Sequence, residues 1–404
     1  MNTWTVDQIS TVMNAVVAQA TGQTGITAIT SPGDFVSVAQ TVLQSPGYDP
    51  IINAISQVLS RTLFAYRDYE ASLAGLEMDL PRFGNAVRKL SPVAKNMIDD
   101  MRFTYPVAYD AVNYPLNPLG TGLSVDHYKI DKQEVLQTVF YGTGVSEQRY
   151  TIFKDQFDVA FSSMDEFGRF LSMLMAERKN DRESFKEAVA HGMQANFIGA
   201  LIDEAATDRV IHCLTEYNTA TGLTLTATTV MQPGNFEGFM RWLYARITYL
   251  ARLFARRSDK FQTNITGKTI LRHTSRENLR VAVHTPFAEM MRSMVMATTF
   301  NDQYLKQDNF EEVDYWQSID TPDAISITPV YTDNTGAVAT GSATSQNAII
   351  GLIHDRDALG YAFTNQWAAT TPLNIDGGYW NEAHHLTLKT VQDNTEKALV
   401  LILD

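Results

Sequence analysis

The stretch from Asn347 to Leu403 constrains this chain more than any other. Ala348-Ile349-Ile350-Gly351-Leu352-Ile353 reads as an apolar strand, His354-Asp355-Arg356-Asp357 as a polar corner, and the residues through Trp367 as a mixed aromatic segment. Asp376-Gly377-Gly378 is a hairpin signal, because glycine takes positive φ at little steric cost. A long strand from Tyr379 to Val391 follows, then a polar turn at Asp393-Asn394 and a terminal strand from Ala398 to Leu403. Such an ending is not a loose tail. It is built like the floor of a domain, so elements far apart in sequence must close onto it.

The remaining 350 or so residues supply enough material for two or three subdomains and a sizeable core: 45% of the 404 residues are hydrophobic and 19% charged. A net charge of -13 argues against a dedicated nucleic-acid binder, which normally carries a basic excess. The single cysteine, Cys213, excludes an intramolecular disulfide and any multi-cysteine metal site, and its apolar setting predicts a buried thiol. The segment Met1-Asn2-Thr3-Trp4-Thr5-Val6-Asp7 lacks the basic start and apolar core of a signal peptide. Apolar runs are strand-length, below the roughly 20 residues that span a bilayer, which points to a cytoplasmic setting.

The first sixty residues alternate short helical patches with Thr/Gly/Ser/Pro punctuation and carry few large apolar side chains, as suits an arm lying on another surface. From Arg61 to about Ile152 the pattern is least regular. Pro81, Pro92, Pro106, Pro115 and Pro118 interrupt it, and Val135-Leu136-Gln137-Thr138-Val139-Phe140-Tyr141 alternates like a strand. A hundred residues without a long helix predict an extended, partly stranded excursion. Ser163-Met164-Asp165-Glu166 has the capping-box arrangement, and Met164, Phe167, Phe170, Leu171, Leu174 and Met175 share one helical face. A second amphipathic stretch opens at Asp181 and carries Phe185, Ala188, Val189, Met193, Phe197 and Leu201. Arg178-Lys179-Asn180 either separates two helices or kinks one.

Asn235 is the expected cap of a further helix with Phe236, Phe239, Met240, Leu243, Ile247, Leu250 and Phe254 on its apolar stripe. Lys268 to His273 reads as a short strand and Thr274-Ser275-Arg276-Glu277 as another capping box. Thr285-Pro286 would end that helix and start the next. Tyr331 to Ser345 reads as a surface loop.

Chemistry is thin. His354 and Asp357 offer ligand or acid–base groups, but they stand at a strand exit with no further ligands at suitable spacing. His384 and His385 point to opposite faces of a strand and cannot jointly chelate an ion. There is no P-loop, no complete dinucleotide fingerprint and no GxSxG elbow. No cofactor or metal is expected. A positive cluster, Arg241, Arg246, Arg252, Arg256, Arg257 and Lys260, is either a solvated helix face or a strip facing phosphate or an acidic neighbour.

In element order the chain resembles the major capsid proteins of tailed double-stranded DNA phages with the Hong Kong 97 phage fold, most closely those of small picovirus-type podophages. The run from Phe157 to Phe167 entering the long helix carries the resemblance, together with Leu352-Ile353-His354-Asp355-Arg356-Asp357 and Gly378-Tyr379-Trp380. It implies an α+β fold with an N-terminal arm (1–60), an E-loop region (61–150), and a peripheral domain with a long spine helix (151–208). An axial domain (209–345) and strands returning to the peripheral domain (346–404) complete it. It further implies self-assembly into pentamers and hexamers of an icosahedral shell in the host cytoplasm. Scaffolding and portal proteins would be partners, packaged DNA would be touched only loosely, and no membrane is involved. Tyr105, Tyr109, Tyr114 and Tyr128 are the candidate subunit contacts, since tyrosine supplies apolar area with a polar tip. Two alternatives stay open: an encapsulin-like compartment shell, and an enzyme with an acid–base site near His354 and Asp357.

Overall fold

A computed structural model describes Asn14 and residues 73–78, 86–95, 132–141, 144–154, 164–204, 208–296 and 310–404. Strands β1 (Ala86–Pro92), β2 (Val135–Tyr141) and β3 (Gly144–Phe153) precede a 40-residue helix α1 (Met164–Asp203). Then come β4 (Val210–His212), α2 (Cys213–Thr221), the single turn α3 (Ala227–Val230), α4 (Pro233–Phe254), β5 (Leu279–His284) and α5 (Thr285–Met296). Short strands β6 (Phe310–Val313), β7 (Ile325–Ile327), β8 (Val330–Thr332), β9 (Val338–Thr340) and β10 (Thr344–Gln346) lead to the terminal set. That set is β11 (Ile349–Asp355), β12 (Leu359–Thr370), β13 (Tyr379–Gln392) and β14 (Ala398–Ile402).

The C-terminal apolar runs are continuous because their strands are covered on both faces. β14 and β11 lie inside a five-stranded sheet ordered β4-β14-β11-β5-β6. Leu399, Leu401, Ile350, Ile353, Val281 and Val283 face α2 and α4, where they meet Leu214, Phe239, Leu243, Leu250 and Phe254. Ala398, Val400, Ile402, Ile349, Leu352 and Ala282 face the other way, onto Phe197, Ile198 and Leu201 of α1 and onto Trp316. A bulge between Ile349 and Gly351 slips the alternation of β11 by one place, which is why Ile350 and Ile353 share a face. Gly351 is required there, because a Cβ would stand 2.8 Å from the Ala282 carbonyl oxygen. Each fully buried Leu, Ile or Val in this sandwich contributes about 1.5–3 kcal/mol.

The second sheet is antiparallel, ordered β12-β13-β3. Gly378, at φ +59°, supplies the positive φ in the turn leading into β13. The helix α1 runs along one face: Arg178 pairs with Glu382, and Asp181 accepts from Gln148 at 2.8 Å. The segment Arg178-Lys179-Asn180 therefore lies within one continuous helix, about 60 Å long at 1.5 Å per residue. The expected terminal strands divide between the sheets: β11 and β14 join β4 and β5, while β12 and β13 join β3.

Four local expectations need correction. α4 begins at Pro233 with Gln232 as its cap, and Asn235 instead donates to the Thr229 carbonyl at 3.0 Å. Lys268–His273 is not a strand and contributes only an isolated bridge from Arg272 to Ser258. Thr274 caps no helix: its hydroxyl donates to Asp355 Oδ2 at 2.6 Å, and the chain continues into strand β5. The stretch from Tyr331 to Ser345 is not a bare loop, since β8 pairs β9 and β10 pairs β7. Ser163, the expected cap of α1, lies outside the described residues.

Candidate assembly surfaces

β1 and β2 form a two-stranded antiparallel ribbon, from Ala86 opposite Tyr141 to Pro92 opposite Val135. A lone ribbon of this kind is marginal in water, and this one stands on a polar footing. Alternate residues of β1 turn inward: Lys89 and Ser91 face the body while Arg88, Leu90 and Pro92 are exposed. Lys89 Nζ donates to Asp393 Oδ2 at 2.7 Å and also pairs with Glu396. Glu396 is shared with Arg272, which donates to Ser91 Oγ at 3.1 Å and Thr395 Oγ1 at 2.9 Å. The Ala94 amide donates to the Thr269 carbonyl at 2.7 Å, and Lys268 pairs with Glu134 just before β2. Burial raises the Glu396 carboxyl despite the pull of Lys89 and Arg272. At Asp393 burial acts the same way, yet Lys89 and the bonds from Thr395 hold its carboxyl below the usual range.

Among the described residues, no element covers the face of the β12-β13-β3 sheet turned away from α1. Trp367 stacks on His385 with ring centroids 3.8 Å apart, and the pair stands in register beside Glu147. Val145, 62% exposed, and Phe153, 48% exposed, share this face with the Glu147–Arg149 ion pair. His384 points to the opposite face and bonds Glu382 Oε1 at 2.7 Å, so the two histidines do separate as strand alternation requires.

The positive cluster breaks into two kinds of residue. Arg241 pairs with Glu237 at 2.6 Å, and Arg246 grips Glu216 with two bonds of 2.7 and 2.8 Å. Arg252 and Arg256 are exposed at the end of α4 and make no ion pair among the described residues. Nearby, an acidic crevice of about 490 Å³ is lined by Asp203, Glu204, Asp208, Asp259 and Asp333.

The proposed acid–base pair does not exist as one. His354 is fully buried on β11, its Nδ1 held 2.8 Å from the Asp355 carbonyl, and burial lowers its pKa to about 4. Asp357 is exposed on the turn beyond, whose cap is Asp355 accepting from the Asp357 amide. Among the described residues no cluster of three acidic, histidine or cysteine side chains could hold a metal. Cys213 is buried, and burial pushes its thiol well up, so it is an inert packing group. Tyr105, Tyr109, Tyr114 and Tyr128 lie outside the described residues.

The footing of the ribbon was the main feature missed from the sequence. Its partners are 304 positions apart, and the one available signal was a polar turn, Asp393 to Lys397, set between two strands that must be buried.

A 40-residue helix along an antiparallel sheet, a second sheet packed between helices, and a two-stranded ribbon make up an α+β phage capsid fold of the Hong Kong 97 type. The capsid structure of Staphylococcus phage Andhra shares it, with a TM-score of 0.53 and 10% identity over 85% of this chain and 87% of that one. So does a chain in the structure of the head fiber and inner core protein gp22 of native bacteriophage P68, with a TM-score of 0.53 and 9% identity over 85% and 87%. At such identities the likeness concerns the fold. The chain belongs to the family of Phi29-like phage major capsid proteins, whose sequence profile matches residues 122–393, about two thirds of its length. No curated protein matches. It is a structural protein of the phage capsid shell that associates with copies of itself, and neither the encapsulin-like nor the enzyme reading is favoured.

Proposed function

We propose that this chain closes into an icosahedral shell of pentamers and hexamers around the double-stranded DNA of a tailed phage. Assembly takes place in the host cytoplasm on scaffolding and portal proteins. The observation that carries this reading is the family match, supported by a ribbon whose outward residues, Leu90 among them, have no cover from the described residues of their own subunit. The ribbon and the residues between its strands act as the E-loop, reaching a neighbouring subunit through Tyr105, Tyr109, Tyr114 and Tyr128. Residues 1–60 form the arm, α1 serves as the spine helix of the peripheral domain, and the helices around the five-stranded sheet form the axial domain. Arg252 and Arg256 meet DNA phosphate or an acidic neighbour only loosely, in keeping with the net charge of -13 and the need to release the genome. The protein needs no cofactor and catalyses nothing.

Replacing residues 97–131 with a short Gly/Ser linker tests the reading. It preserves the ribbon footing and removes the tyrosines. Circular dichroism melting should show a cooperative subunit, and electron microscopy should show no closed shells. Closed shells from this variant would remove the segment from assembly, and loss of the folded signal would place it in the subunit core.

A further inference from the structure

We propose that the ions beneath the ribbon form a clamp that fixes the position of the ribbon against its own subunit, and that shells close only while the clamp holds. The inference rests on the shell reading above and assigns a positioning role to Lys89, with Asp393, Glu396 and Arg272 as its receptors.

Three features of the footing support it. First, the inward face of β1 carries Lys89 and Ser91 where a docked strand ordinarily carries apolar residues. Apolar burial is non-directional and would let the strand slide or swing. Charge-assisted hydrogen bonds fix distance and direction together. Second, the receptors come from two segments far apart in sequence, the β13–β14 turn and the segment before β5, which are themselves paired and together hold the inward face of the strand. The side chains of Asp393 and Glu396 are 1% and 9% exposed, so water does not substitute for Lys89. Third, the bond from Ala94 to Thr269 and the pair of Lys268 with Glu134 tie both strands of the ribbon, one on each side. Ala94 follows Pro92 and Glu134 precedes Val135, so both ties lie at the end of the ribbon from which residues 96–131, assigned above to the contact with a neighbour, depart in sequence.

The test uses the full chain with Lys89→Met, and Lys89→Arg as the conservative control. Hydrogen exchange of unassembled subunits reads the clamp, and sedimentation with electron microscopy reads the shells. In Lys89→Met, amides of residues 86–92 and 135–141 should exchange at least about tenfold faster, while those of 398–402 keep their protection. Closed-shell yield should fall by a similar factor, and Lys89→Arg should restore both. Because Lys89→Met leaves Asp393 without its cation while Glu396 keeps Arg272, a double variant (Lys89→Met, Asp393→Asn) opens the clamp without stranding charge, and it should fold, loosen the ribbon and fail to close. Unchanged ribbon exchange in either variant, or full shell yield with a loosened ribbon, would overturn the proposal. Failure of the wild type to form shells would refute the shell reading, while the exchange comparison still decides whether the clamp holds the ribbon.

Discussion

Arg209 offers the sharpest stability experiment. It is fully buried just before β4, and its guanidinium joins three parts of the fold. Nη1 donates to Glu204 Oε2, just beyond α1, at 2.5 Å and to Thr263 Oγ1 at 2.6 Å. Nε reaches the Ala398 carbonyl, at the start of β14, at 3.4 Å. Burial draws its pKa down, while Glu204, Asp208 and Asp393 push it back up. Arg209→Met keeps the bulk and removes the charge. Breaking a buried pair costs about 3–5 kcal/mol because the remaining ion loses its partner. The Glu204 side chain is 17% exposed, so water can partly take over, which sets the expectation near the lower end, about 3 kcal/mol. Against a typical total stability of about 5–15 kcal/mol, the variant should be temperature-sensitive. The assay is urea unfolding of unassembled subunits by circular dichroism, with Arg209→Met, Glu204→Met and the double variant forming a cycle. The double variant should recover at least about 1 kcal/mol relative to the sum of the singles. A single-variant loss under about 0.5 kcal/mol, or a double-variant loss equal to or greater than the sum of the singles, would refute the assignment of Arg209 as a paired buried ion.

Acid should destabilise the subunit. The pKa of His354 is lowered from 6.5 to about 4, so the unfolded chain binds this proton first, and stability falls as pH drops from about 6.5 towards 4. His191 and His284, also lowered by burial, act in the same direction, and His354→Leu should flatten the pH dependence of the urea midpoint; an unchanged profile would contradict it. Gly351→Ala places a methyl against the Ala282 carbonyl and should cost about 1–3 kcal/mol, read from the same unfolding curves. Asp357→Ala, on an exposed turn, should change stability by less than about 0.5 kcal/mol and leave shells intact; a variant that assembled normally but lost a turnover found in the wild type would show that the protein is an enzyme.

Much of the fold was legible wherever local pattern and tertiary burial agree. The apolar runs of β11 and β14, the glycine turn before β13 and the stripe from Phe239 to Phe254 on α4 are read directly from spacing. Reading failed where a distant partner captured a local signal. Thr274 looks like a helix cap, but its hydroxyl is taken by Asp355, 81 positions away, and the residues after it are drawn into the sheet between β11 and β6. Lys89, Asp393 and Glu396 each look like ordinary surface charges in sequence, and only the folding of the ribbon against the β13–β14 turn buries them together. The positive cluster divides: Arg241 pairs within its own helix, whereas Arg252 and Arg256 are exposed and make no ion pair among the described residues.

Electron microscopy of particles from the wild-type chain, expressed alone and with a phage scaffolding protein supplied, tests the central claim most directly. The account predicts closed icosahedral shells in which the residues between the ribbon strands, 97–131, of each subunit lie on a neighbouring one. A species that stays monomeric at high concentration with scaffold supplied, or shells in which residues 97–131 touch only their own subunit, would contradict it.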